Sequence, residues 1–299
     1  MQVIAPKSSG NPPPFELLLP ERQTVPVVFS SPHSGRYYPR SFVSSSKLDA
    51  HSIRQSEDFI VDKLFQSAVE NGAPLLCANY ARAFVDVNRE AYELDPKMFS
   101  GKLPVFANIN SLRVAGGLGT VARIVSERRD IYHDKLDVDE VLGRITNIYK
   151  PYHEALRELL AITYSGFGYG VLVDCHSMPS AKDHNRADQR PDFIIGDRYG
   201  TSAASEIVNI SVQILRDMGY LVAVNKPYAG GYITQYYGRP KEGIHAMQIE
   251  VNRGLYMDES AMVINDGFDQ LSADLEEFVA QLVLVCGLEL EGRFPLAAE

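Results

Sequence analysis

Residues 171–180, VLVDCHSMPS, run from three apolar side chains into an aspartate, a cysteine and a histidine, and a Ser-Met-Pro-Ser break follows. A short, branched apolar run bounded by chain breakers reads as a buried strand. Side chains on a strand alternate between its faces, so Asp174 and His176 share one face and Cys175 takes the other. Cys175 and His176 therefore do not form a nucleophile–base pair. His176 stands instead at the C-terminal end of a strand, where open α/β sheets bind their ligands.

Similar runs lie on both sides of this one. VPVVFS (25–30) ends in SPHSG, which puts His33 in a loop at a strand end, and LLCAN (75–79) is another short strand. AFVDVN (83–88) alternates so that Asp86 and Asn88 share a face, with Arg89 just beyond. DFIIG (192–196), YLVAVN (220–225) and HAMQIEVN (245–252), the last carrying Glu250, complete the set. Between them, helical spacing is expected over 47–71, with Ile53, Ile60, Leu64, Ala68 and Val69 on one stripe and Glu57 and Asp58 near its start, and over 138–164, 202–218 and 259–286. Strands alternating with helices predict an α/β fold with three αβα layers around a mixed, mostly parallel central sheet. The chain is read as one domain, 1–299, with residues 1–14, rich in proline and serine, as a flexible start. Residues 90–134 hold many prolines and glycines with little periodicity and read as a long functional or lid-like excursion. Its VAGGLGT cluster (114–120) does not follow a strand, so it is no dinucleotide fingerprint. Residues 226–238 form a Gly- and Tyr-rich loop or ribbon.

The formal net charge of -9 argues against a nucleic-acid or anionic-membrane partner, so any small anionic substrate has to be held by locally placed arginines. The three cysteines are dispersed and odd in number, as in a reducing compartment. The start of the sequence lacks a cationic segment followed by an apolar core, and no long apolar run occurs, so a soluble cytoplasmic protein is expected. Oligomeric state is not legible.

Two histidines at strand ends, His33 and His176, with a carboxylate from the Glu57–Asp58 pair, make a donor set for catalytic zinc with one position open. Glu250, inside an apolar strand, has the burial that raises a carboxyl pKa toward what a general base for a metal-activated water needs; the alternative is an ion pair with Arg253. Arg82 or Arg89 would stabilise an oxyanion, or else pair with Asp86.

SPHSGRYYP (31–39), SEDFIVDKLF (56–65), ARAFVDVNRE (81–90), VLVDCHSMPS (171–180), DFIIGDRYG (192–200) and the blocks through HAMQIEVNRGLYMDE (245–259) resemble, in order, those of the N-formylglutamate amidohydrolases. That family is similar in turn to zinc carboxypeptidases and aspartoacylases, which implies a zinc-carboxypeptidase-like fold and one Zn2+ per chain. The resemblance implies His33, Asp58 and His176 as metal ligands, with Glu57 as the alternative to Asp58, because the usual HxxE is replaced here by His33-Ser-Gly-Arg. It implies Glu250 as general base, Arg82 at the oxyanion, and Asn88 with Arg89 as a substrate-carboxylate clamp. A dianionic substrate needs further cations, for which Arg253 and Arg36 are candidates, and Tyr232, with Tyr228, would close over it. The implied reaction is hydrolysis of N-formyl-L-glutamate to formate and L-glutamate, a step of histidine degradation. The alternatives are a related metallo-amidohydrolase acting on another N-acyl amino acid or a short peptide, and a non-catalytic anion-binding homologue.

Overall fold

The computed structural model describes residues 2–5, 10–125, 129–180 and 190–289. Eight strands form one sheet: β1 (Gln2–Ile4), β2 (Phe15–Leu19), β3 (Val27–Ser31), β4 (Leu75–Ala78), β5 (Gly170–Met178), β6 (Phe193–Gly196), β7 (Val222–Val224) and β8 (Ile244–Asn252). Their order is β1-β2-β4-β3-β5-β8-β6-β7. The central four, β4-β3-β5-β8, are mutually parallel, whereas β2 pairs antiparallel with β4 and β6 antiparallel with β8. The sheet is thus mixed with a parallel centre, as the alternation of strands and helices implies.

Strand β5 is buried along its whole length, so it needs cover on both faces. On one face Val27, Phe29, Val173, Cys175, Met247 and Ile249 pack against helices Ser205–Asp217 and Phe268–Glu289. On the other, Val28, Leu76, Leu172 and Ala246 pack against helices Lys150–Phe167 and Tyr232–Tyr237. Each such fully buried aliphatic side chain contributes roughly 1.5–3 kcal/mol. Toward the C-terminal ends of the parallel strands this second face changes character: Ser30, Asp174, His176, Gln248 and Glu250 replace the aliphatics, and all are buried. The β5–β8 register sets His176 directly beside Glu250 and Asp174 beside Gln248.

Several expected elements are reshaped, mostly where they approach this polar end. The helix expected over 47–71 is broken into 3-10 turns at Ser52–Arg54 and Gln66–Ala68 and one α-turn at Val61–Leu64, with Ile60 in the left-handed region at φ 50°. Long-range bonds outweigh local periodicity here: the Asp58 N–H donates to the His33 carbonyl at 3.0 Å, and Arg54 forks onto Glu57. The strand expected at 83–88 is a turn, because the Asp86 carboxylate accepts the Asn88 N–H at 2.9 Å. The helix expected over 138–164 is present and runs on to Phe167, with a π-turn at Ile145–Tyr149 between two α segments. The last helix starts at Phe268 rather than 259, after a small hairpin of Met257–Asp258 and Val263–Ile264. Residues 226–238, read as a loop or ribbon, end in the helix Tyr232–Tyr237. At the other end of the chain, β1 and β2 were not foreseen. Gln2–Ile4 is an edge strand on Leu17–Leu19, and Pro12, Pro13 and Pro14 each accept a hydrogen bond from Asn79 or Tyr80, so these parts of the start are tied down; residues 6–9 lie outside the described residues.

Gly35 shows how closely the His33 loop is seated. A Cβ there would lie 2.3 Å from the Tyr80 carbonyl oxygen, a backbone atom that cannot swing aside. Gly35→Ala is expected to lower unfolding free energy in a denaturant titration by about 1–3 kcal/mol. Gly166→Ala, in a helix with nothing within 4 Å of the new methyl, is the control and should raise stability by about 0.4–1 kcal/mol. Equal stabilities for the two variants would show that the loop is not tightly seated.

Candidate metal centre and substrate cavity

His33 follows β3, His176 lies on β5, and Asp58 comes from the broken helical segment that bonds back to the His33 backbone. The three side chains are 1–3% exposed. Their donor atoms form a small triangle: His33 Nδ1 to His176 Nδ1 is 3.1 Å, His176 Nδ1 to Asp58 Oδ2 is 2.9 Å, and His33 Nδ1 to Asp58 Oδ2 is 3.5 Å. Tetrahedral zinc with N and O ligands at 2.0–2.1 Å has ligand–ligand edges of about 3.3–3.4 Å, so the donor set fits such an ion in both chemistry and spacing.

The outer nitrogens of both rings are fixed by other carboxylates. His33 Nε2 is 2.6 Å from Asp86 Oδ1, and His176 Nε2 is 2.9 Å from Asp174 Oδ2. A carboxylate only accepts, so each Nε2 carries the proton and each Nδ1 presents a lone pair toward the other and toward Asp58. Three converging lone pairs repel unless a cation or a proton sits among them. Burial disfavours the His176 imidazolium, but Asp174, Asp58 and Glu250 outweigh it and hold its pKa well above the ordinary value. For Asp58, burial opposes ionisation and the bonds from His176 and His33 overcome it, leaving its carboxyl well below the usual range.

Glu57 and Asp58 face different ways. Glu57 is held by Arg54 Nε and Nη2 at 3.1 and 3.0 Å and by the Tyr38 hydroxyl at 3.0 Å, away from the histidines. Asp58 Oδ1 accepts from Arg253 Nη2 at 3.1 Å, which leaves Oδ2 for the imidazoles. Arg253 also donates to Ser177 Oγ and the Gln55 carbonyl, so all three of its guanidinium nitrogens are in use. It pairs with Asp58, not with Glu250. Glu250 accepts from Gln248 Nε2 at 2.8 Å, and burial, set against the attraction of His176, pushes its carboxyl up to about 7.

Both readings of Arg82 and Arg89 meet in Asp86. Arg82 Nη2 donates to Asp86 Oδ2 at 2.9 Å while its Nη1 lies 3.9 Å from Asp58 Oδ1. Arg89 Nη2 stands 3.5 Å from the same Asp86 oxygen, with Nε and Nη1 on the Leu118 and Asn88 carbonyls. Asn88 is buried behind His176: its Nδ2 donates to Asp174 Oδ2 at 3.0 Å and its Oδ1 accepts from the Ile233 N–H at 2.7 Å. Asp174 serves His176, its neighbour two residues on, and Asp86 serves His33.

A cavity of about 1070 Å³ opens over this cluster, lined by His33, Asp58, His176 and Glu250 and by Arg82, Asn88, Arg89 and Arg253. Arg36 and Tyr232 are not part of its wall. Arg36 forks onto Asp62 at 2.9 and 2.7 Å on the outside of the His33 loop, and Tyr232 stacks on Tyr236 and meets the His153 ring edge-on. Tyr228, Gly230 and Gly231 of the same loop do line the cavity. Part of the remaining wall is the excursion at 113–125, including Arg113 and Arg123, which sequence reading did not single out because no periodicity or strand end marks those positions. Five arginines line the cavity beside Asp58, Asp86 and Glu250, which places guanidinium groups on its wall in a chain of net charge -9.

A family model described as N-formylglutamate amidohydrolase matches residues 25–257. An N-formylglutamate deformylase of Pseudomonas aeruginosa is 28% identical over 249 residues, covering 82% of this chain and 87% of the relative. A second from Pseudomonas putida is 28% identical over 239 residues, covering 79% and 83%. The crystal structure of an N-formylglutamate amidohydrolase from Ralstonia eutropha JMP134 is 35% identical and superposes with a TM-score of 0.85 over 91% of this chain and 98% of that one. With the residues of the candidate site and the cavity lining all inside the matched span, the chain belongs to the N-formylglutamate amidohydrolase family.

Proposed function

We propose that this protein is a metal-dependent deformylase that hydrolyses N-formyl-L-glutamate to formate and L-glutamate. The observation that carries the reading is the His33–Asp58–His176 triangle beside a buried Glu250 in an arginine-lined cavity. The relatives' names supply the substrate. In this reading His33 Nδ1, His176 Nδ1 and Asp58 Oδ2 hold one divalent ion, for which two imidazoles and a carboxylate favour zinc. When bound, that ion supplies Lewis acidity, acidifying a water and polarising the formyl carbonyl.

The chain's own groups do the rest. Asp86 and Asp174 hold the imidazoles in one tautomer, and Arg253 holds Asp58 in one orientation. Glu250 takes a proton from the attacking water as its oxygen bonds to the formyl carbon. It then returns a proton to the departing amino nitrogen as the C–N bond breaks. Gln248 fixes one oxygen of Glu250 for this role. Arg82, paired to Asp86 yet lining the cavity, contributes positive charge where the oxyanion develops. The substrate's carboxylates meet the cationic wall that includes Arg89.

Protein purified without added metal is expected to carry about one divalent ion per chain by elemental analysis, and to release formate from N-formyl-L-glutamate. His176→Ala should lose the ion and at least about a thousandfold in rate. Activity that survives both this change and a chelator would remove the metallohydrolase reading. Equal rates on N-formylglutamate, N-formylaspartate and N-acetylglutamate would remove the narrow substrate assignment.

Glu250→Gln should keep the ion and lower kcat by about 10²–10⁴-fold. Because Glu250 has to be ionised to accept a proton, kcat/KM should fall as pH drops through its pKa. Burial pushes that pKa up to about 7, and a bound cation would shift it lower. The acid limb is therefore expected below pH 7 and should be missing from the residual activity of Glu250→Gln; an unchanged limb in that variant would assign it to another group.

A further inference from the structure

The cavity arginines are not equally available. Arg253 uses every guanidinium nitrogen on Asp58, Ser177 and Gln55, and Arg82 is bonded to Asp86. Arg89 has Nε and Nη1 on backbone carbonyls, and Arg123 is bonded to Asp95 and Asp130. Arg113 differs. Among the described residues its guanidinium makes no hydrogen bond, and its one ionic neighbour is Glu93 Oε2 at 3.7 Å, beyond hydrogen-bond reach.

The backbone beneath Arg113 is nevertheless fixed. Its short helix, Leu112–Ala115, is capped by Ser111 Oγ on the Val114 N–H at 3.1 Å, and the Arg113 carbonyl accepts from the Leu118 N–H at 2.8 Å. The Leu118 carbonyl in turn holds Arg89 Nε, so this turn is built into the cavity wall. The adjoining Gly119 sits so close to Glu93 that a Cβ would lie 2.1 Å from that residue's carbonyl oxygen. An anchored backbone carrying an unengaged, half-buried guanidinium is a donor fork held ready for an external acceptor. Glu93, 3% exposed, draws the head by charge alone, and its Oε2 has no hydrogen-bond partner among the described residues.

Resting on the deformylase reading above, we propose that Arg113 binds the side-chain carboxylate of the acyl-glutamate and so selects an anionic side chain. The α-carboxylate is borne on the carbon attached to the scissile nitrogen, so it stays near the reacting centre and the arginines that ring Asp58 and Asp86. The side-chain carboxylate reaches further out, toward the wall that carries Arg113. That residue pairs with neither Asp58 nor Asp86, whose partners are Arg82, Arg89, Arg253 and the histidines. Arg113 is thus a specificity-determining residue rather than part of the hydrolytic machinery.

The test compares kcat/KM for N-formyl-L-glutamate, N-formyl-L-glutamine and the α-amide of N-formyl-L-glutamate in wild type, Arg113→Gln and Arg113→Lys. Arg113→Gln should lose about 10- to 100-fold on N-formyl-L-glutamate and on the α-amide, mainly through KM, and little on N-formyl-L-glutamine. Arg113→Lys should recover part of the loss, with metal content unchanged in both variants. Equal losses on all three substrates, no loss on any, or a loss that spares the α-amide but not the glutamine derivative would overturn the assignment. If wild type releases no formate from N-formyl-L-glutamate, the deformylase reading fails by itself. Calorimetry with L-glutamate and L-glutamine then decides on Arg113: a preference for glutamate that Arg113→Gln abolishes upholds the carboxylate site, and equal binding of the two ligands in wild type removes it.

Discussion

Two imidazoles whose inner nitrogens stand 3.1 Å apart, each with its outer nitrogen on a buried carboxylate, impose a condition that much of the polar end of the sheet is arranged to meet. Neutral rings in this arrangement direct lone pairs at each other and at Asp58. The pairing is tolerable only with positive charge between them, and Asp86 and Asp174 make it more demanding by preventing either ring from turning its N–H inward in neutral form. The cluster's rigidity comes from separate parts of the chain that share no local sequence signal: a strand end, a broken helix, a turn after β4, and β5 itself.

The same carboxylates explain the disposition of the arginines. Asp58 and Asp86 lie buried, and leaving either unpaired would be expensive, so Arg253, Arg82 and Arg89 converge on them. These guanidiniums are held in fixed places by bonds to acids and backbone carbonyls, and their charge is partly offset by the groups that hold them. A cavity wall bearing guanidinium groups is built in this way without mobile surface lysines, in a chain of net charge -9. Preorganisation of this kind removes the reorganisation that water would otherwise require as charge develops.

How much of this was legible in the sequence depended on whether local or distant bonds governed each segment. β5 and β8 are buried on both faces, so their apolar runs revealed them directly, and two-residue alternation separated Cys175 from His176 before any coordinates. Glu250 was legible as a carboxylate within an apolar strand, but only the parallel register brings His176 beside it, and register between strands far apart in the chain is not local information. The choice between Glu57 and Asp58 turned on Arg54 and Tyr38, which take Glu57 for themselves. Arg36 was a candidate because a dianionic substrate needs further cations, yet its guanidinium forks onto Asp62 and it does not line the cavity. Tyr232 lay in the right loop but at the start of a helix whose ring contacts are His153 and Tyr236.

The two clearest failures of periodicity, at 47–71 and 83–88, fall on segments that supply the His33–Asp58–His176 cluster or its supports, and the coincidence has a physical cause. A helix through Asp58 would use that residue's N–H on the preceding turn and carry its carboxylate on a helical stripe. The segment instead gives the N–H to the His33 carbonyl and accepts a left-handed Ile60 two residues later. A strand through 83–88 would send Asp86 and Asn88 out together from one face of the sheet. In the turn, the Asp86 side chain captures the Asn88 N–H, and the two side chains serve different histidines, Asp86 bonding His33 and Asn88 bonding the Asp174 that holds His176. Regular structure would have satisfied the backbone at the expense of the cluster. Where local propensity and a buried ionic network compete for the same few residues, the network prevails because its unpaired members would lose more than a helical turn or a short strand can return.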